Sequence, residues 1–325
     1  MNDVEAAESR IRKYVAPTPL EFSPGISELL GREVHLKLEC FHPIRVFKIR
    51  GAINKLLSLS GSEAGRGVIT ASSGNHGLAI AYASRLFGIE STICVPENVN
   101  PQKLGAILEQ GAEVIKSGSG YDETYSNALS VAEKRGLTFV HAFDDPDVIA
   151  GQGTCGLEIA RQLPDLDAAV VAIGGGGLIG GIALAIKESL EKPKVFGAET
   201  VAIPSMYESV RKGRRLRVDP KATIADGMQA SMPGRLTLEA SMRYVDKIGL
   251  VTDAQIEEAM FDLLSKARVL AEPAGASPLA AMKGPLRNQR SSKVVLVVSG
   301  GNVSLELLGA LLSRRARRSS GGPAP

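Results

Sequence analysis

The sequence predicts an α/β protein with two open, twisted and mostly parallel sheets flanked by helices. From about residue 67, short β-rich runs alternate with amphipathic segments, and the alternation resumes at about residue 168. Strands and helices that alternate at this spacing form parallel sheets covered on both faces. We therefore expect two α/β units that divide near Asp144-Asp145-Pro146-Asp147.

The first unit contains four predicted strands separated by three predicted helices. The strands span residues 68–70, 91–95, 112–116 and 137–142, and the helices lie near residues 76–87, 101–110 and 122–134. The second unit adds strands at 168–173, 194–198 and 293–298. Its clearest helix begins with a capping box made by Thr252 and Gln255, after which apolar residues recur at helical spacing.

Composition indicates a soluble globular protein. Of the 325 residues, 44% are hydrophobic and 22% are charged, and the net charge of +3 is too small to predict a nucleic-acid partner. The three cysteines, Cys40, Cys94 and Cys155, are widely spaced and contain no metal-binding pair. The acidic, polar N-terminus does not resemble a secretory signal. These features favour a cytoplasmic location.

A membrane span is the competing interpretation of residues 168–186, which carry no charge. Four adjacent glycines inside this stretch would weaken a membrane helix, so we expect no membrane association. A strand, a turn and a helix explain the same residues without it.

The glycine run itself predicts a phosphate site. Gly174, Gly175, Gly176 and Gly177 are consecutive, and Gly180 and Gly181 follow Leu178-Ile179. The N–H groups of such a turn converge on an anion, and the N-terminus of the next helix adds positive potential. A turn without a ligand remains an alternative, although one or two glycines suffice for it.

The spacing of Gly175, Gly177 and Gly180 also matches a dinucleotide-binding turn. Glu199 stands nineteen residues beyond Gly180, near the position expected for an acid that binds a ribose. From these residues alone, an NAD-dependent oxidoreductase stays open.

Three further motifs suggest chemistry. Lys48 lies between Phe47 and Ile49, where burial would lower its pKa and free the amine for Schiff-base formation. The turn Ser72-Ser73-Gly74-Asn75-His76-Gly77 opens a helix and offers several donors to a carboxylate, although simple N-capping also explains it. Ser299-Gly300-Gly301-Asn302 follows the last strand, where the Ser299 hydroxyl could meet a ligand nitrogen.

The motifs occur in a fixed order: the apolar-flanked lysine, the Ser72–Gly77 turn, the glycine run, Glu272-Pro273-Ala274-Gly275 and the Ser299–Asn302 turn. This series resembles the serine/threonine dehydratase and serine racemase family. These are enzymes of fold type II, with a tryptophan synthase β-like architecture, and they depend on pyridoxal phosphate (PLP). The resemblance extends from about residue 17 to about residue 312. An oxidoreductase would leave the Lys48 and Ser72–Gly77 motifs without a role, which disfavours that alternative.

The resemblance implies roles residue by residue. Lys48 would hold PLP as a Schiff base and take the Cα proton, while Phe47 would pack on the pyridine ring. Asn75 would bind the phenolic oxygen, and Ser299 would bind the ring nitrogen. The phosphate would be held by Gly174, Gly175, Gly176, Gly177 and Leu178. The substrate carboxylate would be held by Ser72, Ser73, Gly74, Asn75 and His76.

The implied reaction is β-elimination of L-threonine or L-serine to a 2-oxo acid and ammonia, that of an ammonia-lyase. Ser73 could act as an acid–base group opposite Lys48, and this would give a serine racemase instead. A hydroxyaspartate dehydratase is a further alternative. Threonine synthase and cysteine synthase are less favoured, because His76 stands where cysteine synthases have threonine.

Three departures from the family pattern are visible. Ile44-Arg45-Val46 replaces a Thr-Gly-Ser turn, which puts the shape of the pocket in question. Ser205 replaces an acid that accompanies Glu199 in members with a structural Mg²⁺ or Ca²⁺ ion, so a cation held by Glu199 is doubtful. Tyr125 stands where serine racemases place an arginine near the substrate entrance.

The resemblance also implies a domain organisation. Residues 1–62 and 148–315 would form a large PLP-binding domain, and residues 63–147 a small mobile domain. Residues 316–325 are expected to form a disordered basic tail. A homodimer is expected from the family alone.

Overall fold

The computed structural model describes residues 1–319, which form ten strands in two sheets. In chain order the strands are β1 (Leu20–Phe22), β2 (Glu33–Leu38), β3 (Val68–Ala71), β4 (Ser91–Val95), β5 (Glu113–Lys116), β6 (Thr138–Phe139), β7 (Ala168–Ala172), β8 (Lys194–Thr200), β9 (Lys247–Val251) and β10 (Lys293–Val298). The larger sheet has the order β1-β2-β10-β7-β8-β9, and the smaller has the order β5-β4-β3-β6. Every neighbouring pair is parallel except β1 with β2. The predicted fold class is confirmed.

Helices cover both sheets. In chain order they are α1 (Asn2–Ile11), α2 (Pro24–Leu30), α3 (Lys48–Ser58), α4 (Gly61–Arg66), α5 (Asn75–Phe87), α6 (Pro101–Leu108), α7 (Tyr121–Arg135), α8 (Pro146–Gln162), α9 (Gly177–Ser189), α10 (Ser205–Lys212), α11 (Arg235–Tyr244), α12 (Asp253–Asp262), α13 (Pro273–Lys283) and α14 (Leu305–Ser319). The predicted capping box is confirmed at the start of α12, where Thr252 Oγ1 accepts from the Gln255 N–H.

The predicted strands of both units are present, but the larger sheet has three strands that the pattern did not indicate: β1, β2 and β9. The predicted fourth strand is also shorter than expected, because the chain leaves the sheet after Phe139. Residues 140–145 instead run towards the end of the sheet where the functional motifs lie.

Strand order explains how distant motifs meet. β10 lies between β2 and β7, with Val298 opposite Leu38 and Leu296 opposite Val170. Neighbouring parallel strands end at the same edge of a sheet, and ligands bind beyond their carboxyl ends. The segments that follow these three strands therefore share one edge.

The C-terminal prediction needs one correction. Residues 316–319, expected to be disordered, continue α14. Alanine and arginine, which make up three of these four residues, are strong helix formers, and this explains the helical conformation. The remaining residues of the expected tail, 320–325, lie outside the described residues. Within residues 1–319, no helix has the length and apolarity that crossing a membrane requires.

Candidate active site

Lys48 opens α3 and is partly buried at the edge of the larger sheet. Its Nζ donates a hydrogen bond of 2.7 Å to the Ala142 carbonyl and lies 5.2 Å from the centroid of the Phe47 ring. Burial lowers the pKa of Lys48 to about 8, although the nearby Glu272 carboxyl opposes the shift. The neutral amine that a nucleophile requires is therefore far more populated near neutral pH than in an ordinary lysine.

Backbone pairing holds Lys48 beside Ser299. Val46 forms an antiparallel bridge with Gly300, and the Phe47 N–H donates to the Ser299 carbonyl at 3.0 Å. Ser299 is buried directly after β10. The two motifs, about 250 residues apart in sequence, therefore share one short stretch of backbone pairing.

The glycine run forms a turn into α9, as the sequence predicts. Gly176 has φ +94°, a conformation that side chains rarely adopt, and α9 begins at Gly177. A Cβ at Gly175 would overlap the ring of Phe143. Thr237 Oγ1 donates to the Gly175 carbonyl at 2.7 Å and fixes the turn from the other side. The N–H groups of the first turn of α9 remain at its positive end, which suits an anion.

The segment from His141 to Asp144 joins the lysine to the glycine turn. Its Ala142 carbonyl accepts from Lys48, and its Phe143 contacts the turn. Two backbone N–H groups, those of Phe143 and Asp144, donate to His141 Nδ1. Asp144 in turn accepts from backbone N–H groups at the start of α11. Lys48, Ser299 and the glycine turn are therefore parts of one connected site.

The Ser72–His76 turn follows β3 and opens α5 at the end of the smaller sheet. Ser72, Ser73 and Asn75 are partly exposed. Asn75 contacts the larger unit, because its Nδ2 donates to both oxygens of Glu272 at 2.9 and 3.0 Å. The His76 ring is buried, and its Nε2 lies 3.3 Å from the Val140 carbonyl. Burial lowers the pKa of His76 well below its usual range. The His76 ring therefore lies in the protein interior, and His76 contributes only its backbone to the turn.

Glu199 caps a helix in this structure. It is buried, and its two oxygens accept the Met206 and Tyr207 N–H groups at the start of α10, both at 2.8 Å. Burial raises the pKa of Glu199 to about 8. Each oxygen thus already accepts one backbone N–H group. Within the described part of the chain, no group of three or more His, Cys, Asp or Glu side chains is arranged to hold a metal ion.

The departures from the family pattern have simple structural consequences. Ile44 and Val46 are buried, whereas Arg45 is exposed and takes the left-handed conformation, with φ 58°. The two apolar replacements therefore pack in the interior, and Arg45, where the family pattern has glycine, keeps a backbone conformation that favours glycine. Tyr125 packs its ring against Phe139 and His141, with centroids 5.3 and 5.8 Å apart.

Sequence reasoning missed two groups of residues around the site. Glu272 and Asn302 bind Asn75, although both belong to motifs that the sequence does single out. A buried ion cluster beneath α3 contains Lys37, Glu39, Arg50 and Glu158. Arg50 follows Lys48 by two residues, and no local pattern identifies its partners.

Comparisons with known proteins identify the family of this chain. The model of the family described as "Pyridoxal-phosphate dependent enzyme" matches residues 11–300. The chain is 43% identical to the L-threonine ammonia-lyase of Thermotoga maritima over 314 residues, which cover 97% of this chain and 78% of that protein. The structure of maize serine racemase superimposes with a TM-score of 0.92 at 33% identity and covers 98% of both chains. Threonine deaminase isoform 2 of Solanum lycopersicum gives 0.91 at 32% identity, over 96% of this chain and 91% of that one.

Two parallel sheets with a lysine, a glycine turn and a buried serine at one edge define an enzyme of PLP fold type II. The chain belongs to the pyridoxal-phosphate dependent enzyme family. The predicted family and the predicted cofactor are confirmed.

Proposed function

We propose that this enzyme converts a small hydroxy amino acid, L-threonine or L-serine, to a 2-oxo acid and ammonia by β-elimination. The observation that carries the proposal is the convergence of Lys48, the glycine turn and Ser299 at one edge of the larger sheet. Relatives named L-threonine ammonia-lyase support the choice of substrate.

The residues present fit PLP. The cradle at Gly174–Gly177 has no side chains and ends at the N-terminus of α9, which suits a phosphate. Leu178 lies in the first turn of that helix. In the proposed arrangement Lys48 binds the aldehyde carbon and Phe47 packs on the ring. Asn75 donates to the phenolic oxygen, and the Ser299 hydroxyl faces the ring nitrogen.

Each of these groups then contributes to the reaction. When bound, PLP withdraws electrons from the Cα of an amino acid. Lys48 Nζ takes the Cα proton, which its lowered pKa permits near neutral pH. Ser299 offers the ring nitrogen a neutral hydroxyl instead of an acid. A hydroxyl at this position would leave the ring nitrogen unprotonated, which would favour prompt loss of the β-hydroxyl over a long-lived carbanion.

The substrate carboxylate is assigned to the turn that opens α5. Ser72 and Ser73 contribute hydroxyls, and Gly74, Asn75 and His76 contribute backbone N–H groups. The buried position of the His76 ring limits this residue to a main-chain role.

A racemase activity is the second candidate, because Ser73 is partly exposed on the turn that opens α5. In that reaction its hydroxyl would return a proton to the face of Cα opposite Lys48. The similarity to maize serine racemase supports this candidate. Tyr125, in place of an arginine at the entrance, favours elimination.

An assay of 2-oxo acid formation tests both candidates. L-threonine, L-serine, D-serine and threo-3-hydroxyaspartate are supplied separately, and the remaining serine is analysed for its chirality. We expect L-threonine or L-serine to be consumed, and we expect Lys48→Ala to abolish turnover while Lys192→Ala, an exposed lysine, has no effect. Loss of racemisation without loss of elimination in Ser73→Ala would assign the acid–base role to Ser73. Absence of turnover with all four substrates would contradict the proposal.

We also propose a domain organisation, an oligomeric state and a cellular location. Residues 63–147 form the mobile small domain, because its described links to the larger unit include exposed polar pairs such as Lys103–Asp226 and Asp122–Arg217. Residues 1–62 and 148–315 form the large domain. The enzyme acts as a homodimer in the cytoplasm. A cation at Glu199 is disfavoured, because among the described residues no further acidic, histidine or cysteine side chains cluster with it to complete a metal site.

A further inference from the structure

Glu272 is a buried carboxyl to which the proposed function gives no role. It stands at the N-cap of α13 and is 6% exposed. Its oxygens accept the Asn75 Nδ2 at 2.9 and 3.0 Å across the gap between the two sheets. A bond of this kind fixes the distance and the angle at which the smaller unit presents Asn75.

A second contact fixes which way the Asn75 amide points. Asn302 Nδ2 donates to the Ile44 carbonyl at 3.0 Å, and the same nitrogen donates to Asn75 Oδ1 at 2.8 Å. The carbonyl of Ile44 can only accept, so it sets the orientation of the Asn302 amide. With its oxygen held by Asn302, Asn75 can present only N–H groups on the side of Glu272.

The charged groups that act on Glu272 are few. Asp226 and Lys103, which form an ion pair with one another, act on it with opposite signs. Glu272 in turn stabilises the ammonium form of Lys48. Burial raises the pKa of Glu272 to about 7, although its hydrogen bonds with Asn75 and the Asn302 backbone oppose the shift. The carboxyl thus contacts the asparagine assigned to the cofactor and acts electrostatically on the lysine.

We propose that Glu272 is a positioning residue, which with Asn302 holds the Asn75 amide: one N–H of the amide is shared between the two Glu272 oxygens, and the other meets the phenolic oxygen of PLP. The inference deepens the proposed function and depends on the assignment of Asn75 made there. In this arrangement the Glu-Pro-x-Gly and Ser-Gly-Gly-Asn motifs act together on one side chain of the opposite unit.

The test measures binding of two ligands to the full chain freed of its cofactor. The first is 4′-deoxypyridoxine 5′-phosphate, which keeps the ring hydroxyl but lacks the aldehyde and cannot bond to Lys48. The second is the same compound without the ring hydroxyl. Dissociation constants are measured by calorimetry for the wild type and for Asn75→Ala, Glu272→Gln and Asn302→Ala. Thermal unfolding of each variant verifies that it is folded.

We expect Asn75→Ala and Glu272→Gln each to weaken the hydroxyl-bearing ligand about tenfold, the effect of one hydrogen bond. Asn302→Ala should act in the same direction. Both ligands should bind Glu306→Gln with the same affinity as the wild type. Glu306 is the matched control, because its carboxyl accepts the Gln102 amide in an exposed contact. The ligand without the hydroxyl should bind all variants within about twofold. The double variant Asn75→Ala/Glu272→Gln should bind no more weakly than Asn75→Ala alone.

Two results would overturn the inference while leaving the proposed function intact. In one, Glu272→Gln weakens both ligands equally, which means that Glu272 supports the fold of the site in general. In the other, its effect adds fully to that of Asn75→Ala. If Asn75→Ala itself leaves both affinities unchanged, the assignment of Asn75 to the phenolic oxygen is wrong, and the inference fails with it.

Discussion

Replacement of Arg50 by methionine should destabilise this enzyme strongly. The guanidinium is 1% exposed and donates five hydrogen bonds: two to Glu39, two to Glu158 and one to Thr154. Methionine fills much of the same volume but donates none. Both carboxylates then stay buried with one cationic partner fewer, a situation that costs about 3–5 kcal/mol.

The pH dependence of the loss follows from Glu39. Burial would raise its pKa, but Arg50 and His42 hold that pKa well below the usual range. In the wild type, Glu39 therefore contributes stability above its unfolded pKa of about 4.5, and this contribution disappears as pH falls through the folded value. Without Arg50 burial prevails, so the charged carboxylate becomes unfavourable as pH rises. The difference between wild type and variant should therefore grow from about pH 4 to pH 7.

Urea unfolding of both proteins at several pH values measures this difference. Arg135→Met is the matched control, because Arg135 makes a two-bond contact with Glu113 at the exposed surface. Such a surface pair contributes about 0–1 kcal/mol. A loss below about 1 kcal/mol in Arg50→Met, or a loss that is constant with pH, would refute the argument.

Three further outcomes are expected. Gly175→Ala should weaken PLP binding at least about tenfold in equilibrium dialysis, because its Cβ would displace Phe143, whereas Gly61→Ala, with open space around it, should not. Arg45→Gly should raise the free energy of unfolding by about 0.5–1 kcal/mol in urea, since φ 58° is unfavourable for arginine; an unchanged midpoint would contradict this. The rate of PLP uptake by the cofactor-free chain, followed by visible absorbance, should rise with pH through a midpoint near 8, where Lys48 loses its proton, and a midpoint near 10.5 would show an unperturbed amine.

Local patterns in the sequence predict much of the fold. Strands β4 and β10 begin and end where the β-rich runs do, and the α12 capping box forms as its spacing indicates. These signals depend on residues close together in the chain. β2 carries the alternating sequence Glu33-Val34-His35-Leu36 and is paired on both sides, but the charged residues within it obscure the pattern.

The sequence predicts only those site residues that belong to a recognisable motif. Lys48 and the glycine turn are recognisable because they occur in one series with the other motifs of the family, whereas an apolar-flanked lysine alone is a weak signal. The partners of Asn75 are not recognisable in this way. Glu272 and Asn302 reach it only because α13 and the end of β10 face the start of α5, an arrangement set by tertiary packing.

The two interpretations of the glycine run are separated by a residue outside it. A dinucleotide site needs a free acid at the end of the next strand, and Glu199 stands in that place at the end of β8. Its two oxygens, however, cap α10. On the other side of β7, the strand order brings β10 and then β2 to the same edge, and with them Ser299 and the segment leading to Lys48. A phosphate at this turn thus has a lysine and a serine on one side and no ribose-binding acid on the other, and a cofactor with a single phosphate satisfies that geometry.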